Sequence, residues 1–477
     1  MLRQHLPKNL PAVNVSAVKL IKRLRCFVCC SRPPLFLCVF MAAILIAAAP
    51  LSVKAQTSGT SLLLDAEVDD YVNALAKPVL KSAHLSPEDV HILILNSPEI
   101  NAFVNSQRAV FLMSGLILEA ENANEVRGVI AHEIGHLKGH HLLRGSQNRS
   151  NLTLSTILGG ILGVGAMAAG APQAGSAVLV GSQAAGISSL LKFSRSQEQQ
   201  ADQIAVKLLH ELNISNEGLK SFFGRLNMKQ QIQNQAPPAY LLTHPTPANR
   251  EKFLAANISK SFHPSAAERK KFKRVKAKVQ ALTLPPGKTR RRLFDDETGF
   301  ADYARTIAFL RAGQFEHAQQ SLAQAQKKLN LKEDAYVTEM RGHIALEKGN
   351  TEKAERFFAQ ALTRSPKSTL IRYHYGRTLL INHKTQKAIA QLERVLSRHG
   401  QWWMAHQQIG MAYGKAGQKV ASRIHLAQAA LYHGKGKDAA FHLNTAEKLL
   451  TEATTKKQKQ QQQTIDLIKH ELEKQQN

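Results

Sequence analysis

Between Asp65 and Ala83 the apolar residues Val68, Tyr71, Val72, Leu75, Val79 and Leu80 recur at the spacing of one helix face, which predicts a packing helix. Two short runs follow, Val90–Leu95 (VHILIL) and Arg108–Met113 (RAVFLM), rich in β-branched and large apolar side chains. Asn96, Ser97, Pro98, Asn105 and Ser106 separate them, so the runs predict paired strands. Asn124 then precedes Val126, Val129, Ile130, Ile134 and Leu137, which reads as an amphipathic helix with Asn124 at its N-cap.

Further on the texture changes. Phe272, Val275, Val279 and Leu282 mark a short helix among basic residues, closed by Pro285-Pro286-Gly287 and Arg290-Arg291-Arg292. Beyond it Gly342, Gly376 and Gly410 fall 34 residues apart. Ala354, Phe358, Ala361 and Pro366 fit the second helix of a tetratricopeptide repeat, and Ala388 with Leu392 continues the pattern. Less regular units at Ala318, Leu322, Ala325 and at Ala440, Leu443, Ala446 read as capping repeats. The expected fold is therefore mainly α: an α+β domain with a small antiparallel sheet, then an α-solenoid. The expected order is a leader over 1–55, the α+β domain over 56–261, a connector over 262–298, repeats over 299–450 and a solvated polar tail over 451–477.

The first 55 residues carry eight Lys or Arg and no Asp or Glu, then the apolar run Leu35–Ala49 and the small-x-small sequence Val53-Lys54-Ala55. That is the pattern of a secretory signal cleaved near Ala55. All four cysteines lie inside it, so the exported protein would be free of disulfides. The formal charge of +28 drops to +20 without the eight leader cations, and the remainder is spread along the chain without a basic-aromatic module. Nucleic-acid binding is thus disfavoured, and contact with anionic membranes is the expectation. Residues 150–191 contain no charged side chain and break at Gly170-Ala171-Pro172, which predicts a hairpin that is buried, touches a membrane or spans it.

His132-Glu133-Ile134-Gly135-His136 lies inside the predicted helix. Residues four apart share a face, so both imidazoles reach one Zn2+ ion, and Glu133 stands beside them as the base for a water that zinc polarises. Downstream, Ser194–Asp202 leads into the helical positions Ile204, Ala205, Leu208 and Leu209. Glu198 there supplies an oxygen ligand, giving a His2Glu set with one open position and one zinc per chain. Asp202, one turn on, is placed to hydrogen-bond the free ring nitrogen of a ligand histidine. His140 and His141 read as groups behind the ligands or on the surface. Because extended peptides are often held by strand addition, Arg108 and Val110 are expected to bind substrate at a sheet edge just before the zinc helix.

HEIGH followed by Glu-x-x-x-Asp resembles the gluzincins of the HtpX and CAAX prenyl protease type. Joined to a leader and a repeat array, the chain is similar to the periplasmic β-barrel assembly-enhancing protease group over roughly residues 65–450. Asn101-Ala102-Phe103, Ser114-Gly115-Leu116, and Thr243-His244-Pro245 with Arg250 match further segments of that group. The resemblance implies a periplasmic zinc endopeptidase acting on unfolded or misassembled outer-membrane proteins, with the β-barrel assembly machinery as partner. It also implies that His244 can close the fourth position on zinc and keep the enzyme latent, and that Arg250 belongs to the substrate site. The competing function is a chaperone or adaptor in which the repeats do the main work and proteolysis is latent.

Overall fold

The computed structural model describes residues 61–105, 108–141, 193–233, 238–245, 248–259, 264–450 and 455–476. The leader, its cysteines and the uncharged 150–191 stretch lie outside them. Among the described residues no helix is long and apolar enough to cross a membrane.

The first domain opens with β1 (Ser61–Leu62) and α1 (Ala66–Ser82). The Asp65 side chain caps α1 by accepting from the amides of Glu67 and Val68, and the helix buries Val68, Tyr71, Val72, Leu75, Val79 and Leu80. Strands β2 (His91–Asn96), β3 (Ala102–Val104) and β4 (Ala109–Met113) complete a sheet of order β1-β2-β4-β3. This sheet is mixed, not antiparallel throughout: β2 and β4 run parallel, with His91 opposite Ala109 and Leu95 opposite Met113. The short β3 turns the chain back between them, so β4 resumes the direction of β2 and pairs with both. Alternation along the strands sends Ile92, Ile94, Val104, Val110 and Leu112 into the main core, and Leu95, Phe103, Phe111 and Met113 to the opposite face.

After α2 (Ser114–Glu119), α3 (Ala123–Lys138) runs through the middle of the domain and is buried continuously from Ala123 to His136. Its N-cap is Asn122, which accepts from the amides of Asn124 and Glu125; the helix thus starts two residues before the position expected from the apolar pattern. Helices α4 (Arg195–Glu211) and α5 (Glu217–Gln233) pack on α3 at glycines. A Cβ at Gly135 would stand 2.6 Å from the Ala201 carbonyl oxygen of α4, and one at Gly128 would stand 2.8 Å from the Leu219 amide of α5. Short helices α6 (Ala239–Thr243) and α7 (Ala248–Ala256) close this side.

Helix α8 (Ala266–Thr283) is less a connector than a shared wall. Phe272, Val275 and Val279 complete the core of the first domain, while Ala281 joins the first cluster of the repeats. Charged groups lie buried where these parts meet. Lys278 Nζ is 3.0 Å from Asp65 Oδ2 and 3.4 Å from Glu67 Oε2, and Arg274 pairs with Glu67 and, at 2.8 Å, with Asp334. The Tyr303 hydroxyl donates to Glu67 at 2.7 Å.

Helix α9 (Pro286–Arg292) leads into antiparallel pairs: α10 (Gly299–Arg311) with α11 (Phe315–Lys328), α12 (Ala335–Glu347) with α13 (Thr351–Arg364), α14 (Thr369–Ile381) with α15 (Thr385–Leu396), and α16 (Trp403–Lys415) with α17 (Lys419–Tyr432). The 34-residue glycines mark where the two helices of a pair touch. A Cβ at Gly342, Gly376 or Gly410 would meet Phe358, Leu392 or Leu426 at 2.9 to 3.0 Å, each sixteen residues on. Past α18 (Gly436–Leu449) the expected solvated tail is instead α19 (Lys456–Gln476). Its Ile465, Ile468 and Leu472 share one face and pack on Ile424, Leu443, Ala446 and Leu450, covering the last repeat.

Candidate metal centre

Because α3 runs through the core and is covered on every side from Ala123 to His136, His132, Glu133 and His136 are all fully buried. Glu198 comes from the first turn of α4, which a capping box between Ser194 and Gln197 starts at the right place. The close approach at Gly135 brings that turn against α3. His132 Nε2 and His136 Nε2 then lie 3.1 Å apart, and Glu198 places Oε2 3.3 Å from the first and Oε1 3.3 Å from the second. A tetrahedral zinc with bonds of about 2.0–2.1 Å has ligand atoms roughly 3.3 Å apart, so the two nitrogens and the carboxylate already stand at ligand-to-ligand spacing. His244, after α6, brings a fourth donor: its Nδ1 is 3.0 Å from Glu198 Oε1 and 3.4 Å from His132 Nε2.

The groups behind the ligands fix which nitrogen faces inward. His132 Nδ1–H donates to Asp202 Oδ1 at 2.9 Å. His136 Nδ1 is 2.9 Å from His141 Nδ1, and His141 Nε2 is 2.8 Å from Gln200 Oε1. Both ligand histidines therefore present Nε2 to the centre. Phe193 stacks on His136 at 3.8 Å between ring centroids. Of the two histidines after the motif, His141 is buried behind a ligand; His140 is exposed in a left-handed turn (φ 52°).

Charge also fits a dication. Glu198 and Asp202 share a single guanidinium, Arg250, which pairs with Asp202 at 2.6 Å and with Glu198 at 2.7 Å. With Glu133 also in the site the carboxylates outnumber that guanidinium, an excess that a cation would offset. Glu133 Oε2 is buried without a hydrogen-bond partner, which leaves it free for a water or substrate, and His244 Nε2 lies 3.6 Å from Glu133 Oε1. Without the metal, burial opposes charging His132, but Asp202 and Glu198 outweigh it and hold the ring up at about 9. Burial pushes His136 well down despite Glu198 and pushes the Glu133 carboxyl up, while His244, His132 and His136 overcome burial to hold Glu198 well below the usual range.

The expected substrate residues do not gather here. Strand β4 is interior, with both hydrogen-bonding sides taken, so neither Val110 nor its neighbours offer an edge; Val110 is fully buried and Arg108 is exposed at the start of the strand with φ 58°. The edge next to the metal helix is β3. Arg250 is fully buried and holds Asp202 and Glu198 in place, with its guanidinium 5.0 Å from the Phe223 ring centroid. A residue the sequence reading passed over is Tyr240, whose hydroxyl is 3.5 Å from Glu133 Oε1 and whose ring stacks on His244 at 4.6 Å. Its spacing of four from His244 was the available signal.

Fold and site together define a metallopeptidase domain carried ahead of a helical-repeat array. Residues 64–258 match the model of Peptidase family M48, and residues 303–369 and 345–409 match models of tetratricopeptide repeats. The chain is similar to the beta-barrel assembly-enhancing proteases of Escherichia coli K12 (31% identity over 201 residues, 42% of this chain and 40% of that one) and Yersinia pestis (30% over 217 residues, 45% and 44%). It also resembles metalloprotease LoiP of Escherichia coli, at 27% over 181 residues, 37% of this chain and 66% of that one. The match thus spans about two fifths of the length of the assembly-enhancing relatives.

Proposed function

We propose that this protein is a periplasmic, zinc-dependent endopeptidase that degrades misassembled outer-membrane proteins and that its repeats recruit those clients or the β-barrel assembly machinery. The observation that carries the catalytic part is the buried triangle of His132, His136 and Glu198 with Glu133 alongside. The client class rests on the name of the assembly-enhancing relatives. Zinc, when bound, supplies the Lewis acidity that makes a water nucleophilic near neutral pH.

The remaining work belongs to the chain. Glu133 Oε2, unpartnered and raised by burial, accepts the proton of the attacking water and returns it to the leaving amide nitrogen. The Tyr240 hydroxyl steadies the other oxygen of that carboxylate. Asp202 and His141 hold the two histidine rings, and Arg250 holds Asp202 and Glu198. An extended substrate adds to the edge of β3, beside α3, in place of the interior β4. Glu133→Gln is expected to retain zinc and lose casein cleavage, and His136→Ala to lose the zinc. Cleavage near wild type in Glu133→Gln refutes the base; full zinc in His136→Ala refutes the ligand set.

A latent form of the same enzyme is favoured by His244, which stands within ligand distance of the other donors. With its imidazole in the fourth position no water is activated. His244→Ala is then expected to raise basal casein cleavage at unchanged zinc content; lost activity with zinc retained assigns His244 to stabilising the transition state instead.

A further inference from the structure

We propose that Glu339, His343 and His374 form a second metal site, for a divalent cation of the zinc class, in the repeat array and separate from the HEIGH centre. Glu339 and His343 are four apart on α12 and so share a face, with His343 Nε2 3.1 Å from Glu339 Oε1. His374 comes from α14. It occupies the place in its repeat that Met340 has in the preceding one, 34 residues earlier, between Glu339 and His343 along the helix. The stacking of like helices therefore carries its ring onto the same pair: the rings of His343 and His374 meet edge to face with centroids 4.5 Å apart, and one donor atom from each of the three residues lies within 4.8 Å of the others. That spread exceeds the roughly 3.3 Å of a closed zinc tetrahedron, so binding draws His374 inward.

Two imidazoles and a carboxylate are a donor set for zinc, with the remaining position open to water. Unsatisfied groups support a ligand. Glu339 is 2% exposed, and its Oε2 and His374 Nδ1 are both buried without hydrogen-bond partners. A salt bridge alone does not account for them, since the nearest cation, Lys278 Nζ, is 3.8 Å from Oε2 and closer to Asp65 and Glu67. Oε1 lies 3.1 Å from His343 Nε2, and Oε2, with Lys278 Nζ no nearer than 3.8 Å, is left open to an ion. The His343 side chain is 26% exposed and supplies the way in.

An ion there clamps α12 to α14 across a repeat boundary. The test counts zinc in the full exported chain by mass spectrometry after equilibration with Zn2+, and follows the visible bands of Co2+ in the same proteins. Wild type is expected to hold two ions, and His374→Gln and His343→Ala one, with casein cleavage retained. Their affinity for the lost ion falls at least about tenfold. Added Zn2+ should raise the melting temperature more in wild type than in His374→Gln. His136→Ala should keep the repeat ion, and His136→Ala with His374→Gln should hold neither. If His343→Ala does not fold, His374→Gln, which keeps a polar side chain of similar reach, carries the test. Unchanged zinc in a folded His374→Gln overturns the second site, whether or not His136→Ala loses an ion; unchanged zinc in His136→Ala alone counts against the HEIGH centre only.

Discussion

The glycine of HEIGH is where α3 and α4 come closest to the backbone of one another at the centre, and Gly135→Ala tests whether that tightness positions the metal. The added Cβ would stand 2.6 Å from Ala201 O and 3.1 Å from Ala201 Cα, backbone atoms of α4 that no rotamer change can move. An unstrained contact is about 3.5 Å, so α3 and α4 must part by about 0.9 Å. Glu198 is one turn from Ala201 on the same helix and moves with it. Metal sites tolerate about 0.2 Å in ligand distance. Alanine gains about 1 kcal/mol of helix propensity and overpacking costs about 1–3 kcal/mol, so the two nearly cancel in overall stability. The expected result is a melting temperature close to wild type with zinc affinity reduced by about 10- to 100-fold, read by competition with a chromophoric chelator. Gly224→Ala in α5 is the control, because nothing lies within 4 Å of that added carbon; it should be stabilising and leave zinc untouched. Wild-type zinc affinity in a folded Gly135→Ala would refute the argument that the glycine sets the position of Glu198.

Asp202→Asn should weaken zinc by about 10- to 100-fold and lower stability by about 3–5 kcal/mol, because buried Arg250 loses its main carboxylate; denaturant melts and zinc titration check both, and a change under about 1 kcal/mol contradicts it. Burial, foremost, holds His399 and His425 down at about 4 against an ordinary 6.5, with His91 and His406 as the next causes. The unfolded chain therefore binds protons that the folded one refuses between about pH 6.5 and 4. Stability is full above that range and falls as pH drops through it, by at most about 1.4 kcal/mol per pH unit for each histidine. Thermal melts should decline below pH 6.5, and His399→Gln with His425→Gln should flatten that decline; identical acid limbs would contradict the assignment. Ile468→Asp puts a charge into the contact between α19 and the last repeat, and should cost about 2–4 kcal/mol and expose α18 to protease; unchanged melting would mean that the helix does not dock.

Chemistry and repeats were legible in the sequence because both are local. HEIGH needs only the helical period, and Gly342, Gly376 and Gly410 repeat because each meets the helix sixteen residues later. The sheet order was not legible: which of two apolar runs is interior depends on where the three-residue β3 pairs, and that left no periodic mark. Placing Val110 on an edge failed for that reason. Arg250 reads as a surface or substrate arginine until Asp202, 48 residues away, is seen to meet it. In the tail the run of Lys and Gln hid Ile465, Ile468 and Leu472, which share a face only once the helix forms. Likewise Glu339 and His374 belong to different repeats, and no motif length joins them.

The ion pairs buried where α1, α8 and α12 meet decide how motion passes between the two halves. Swinging the array outward would draw Lys278 and Arg274 away from Asp65 and Glu67 and leave charges stranded in a dry seam, a cost of several kcal/mol that thermal agitation rarely meets. The joint is a weld and not a hinge. A load pulling on the repeats is transmitted to the N-terminus of α1, and from there into the core against which α3 is packed, so tension on a captured chain would be felt at the metal helix without any lid having to move.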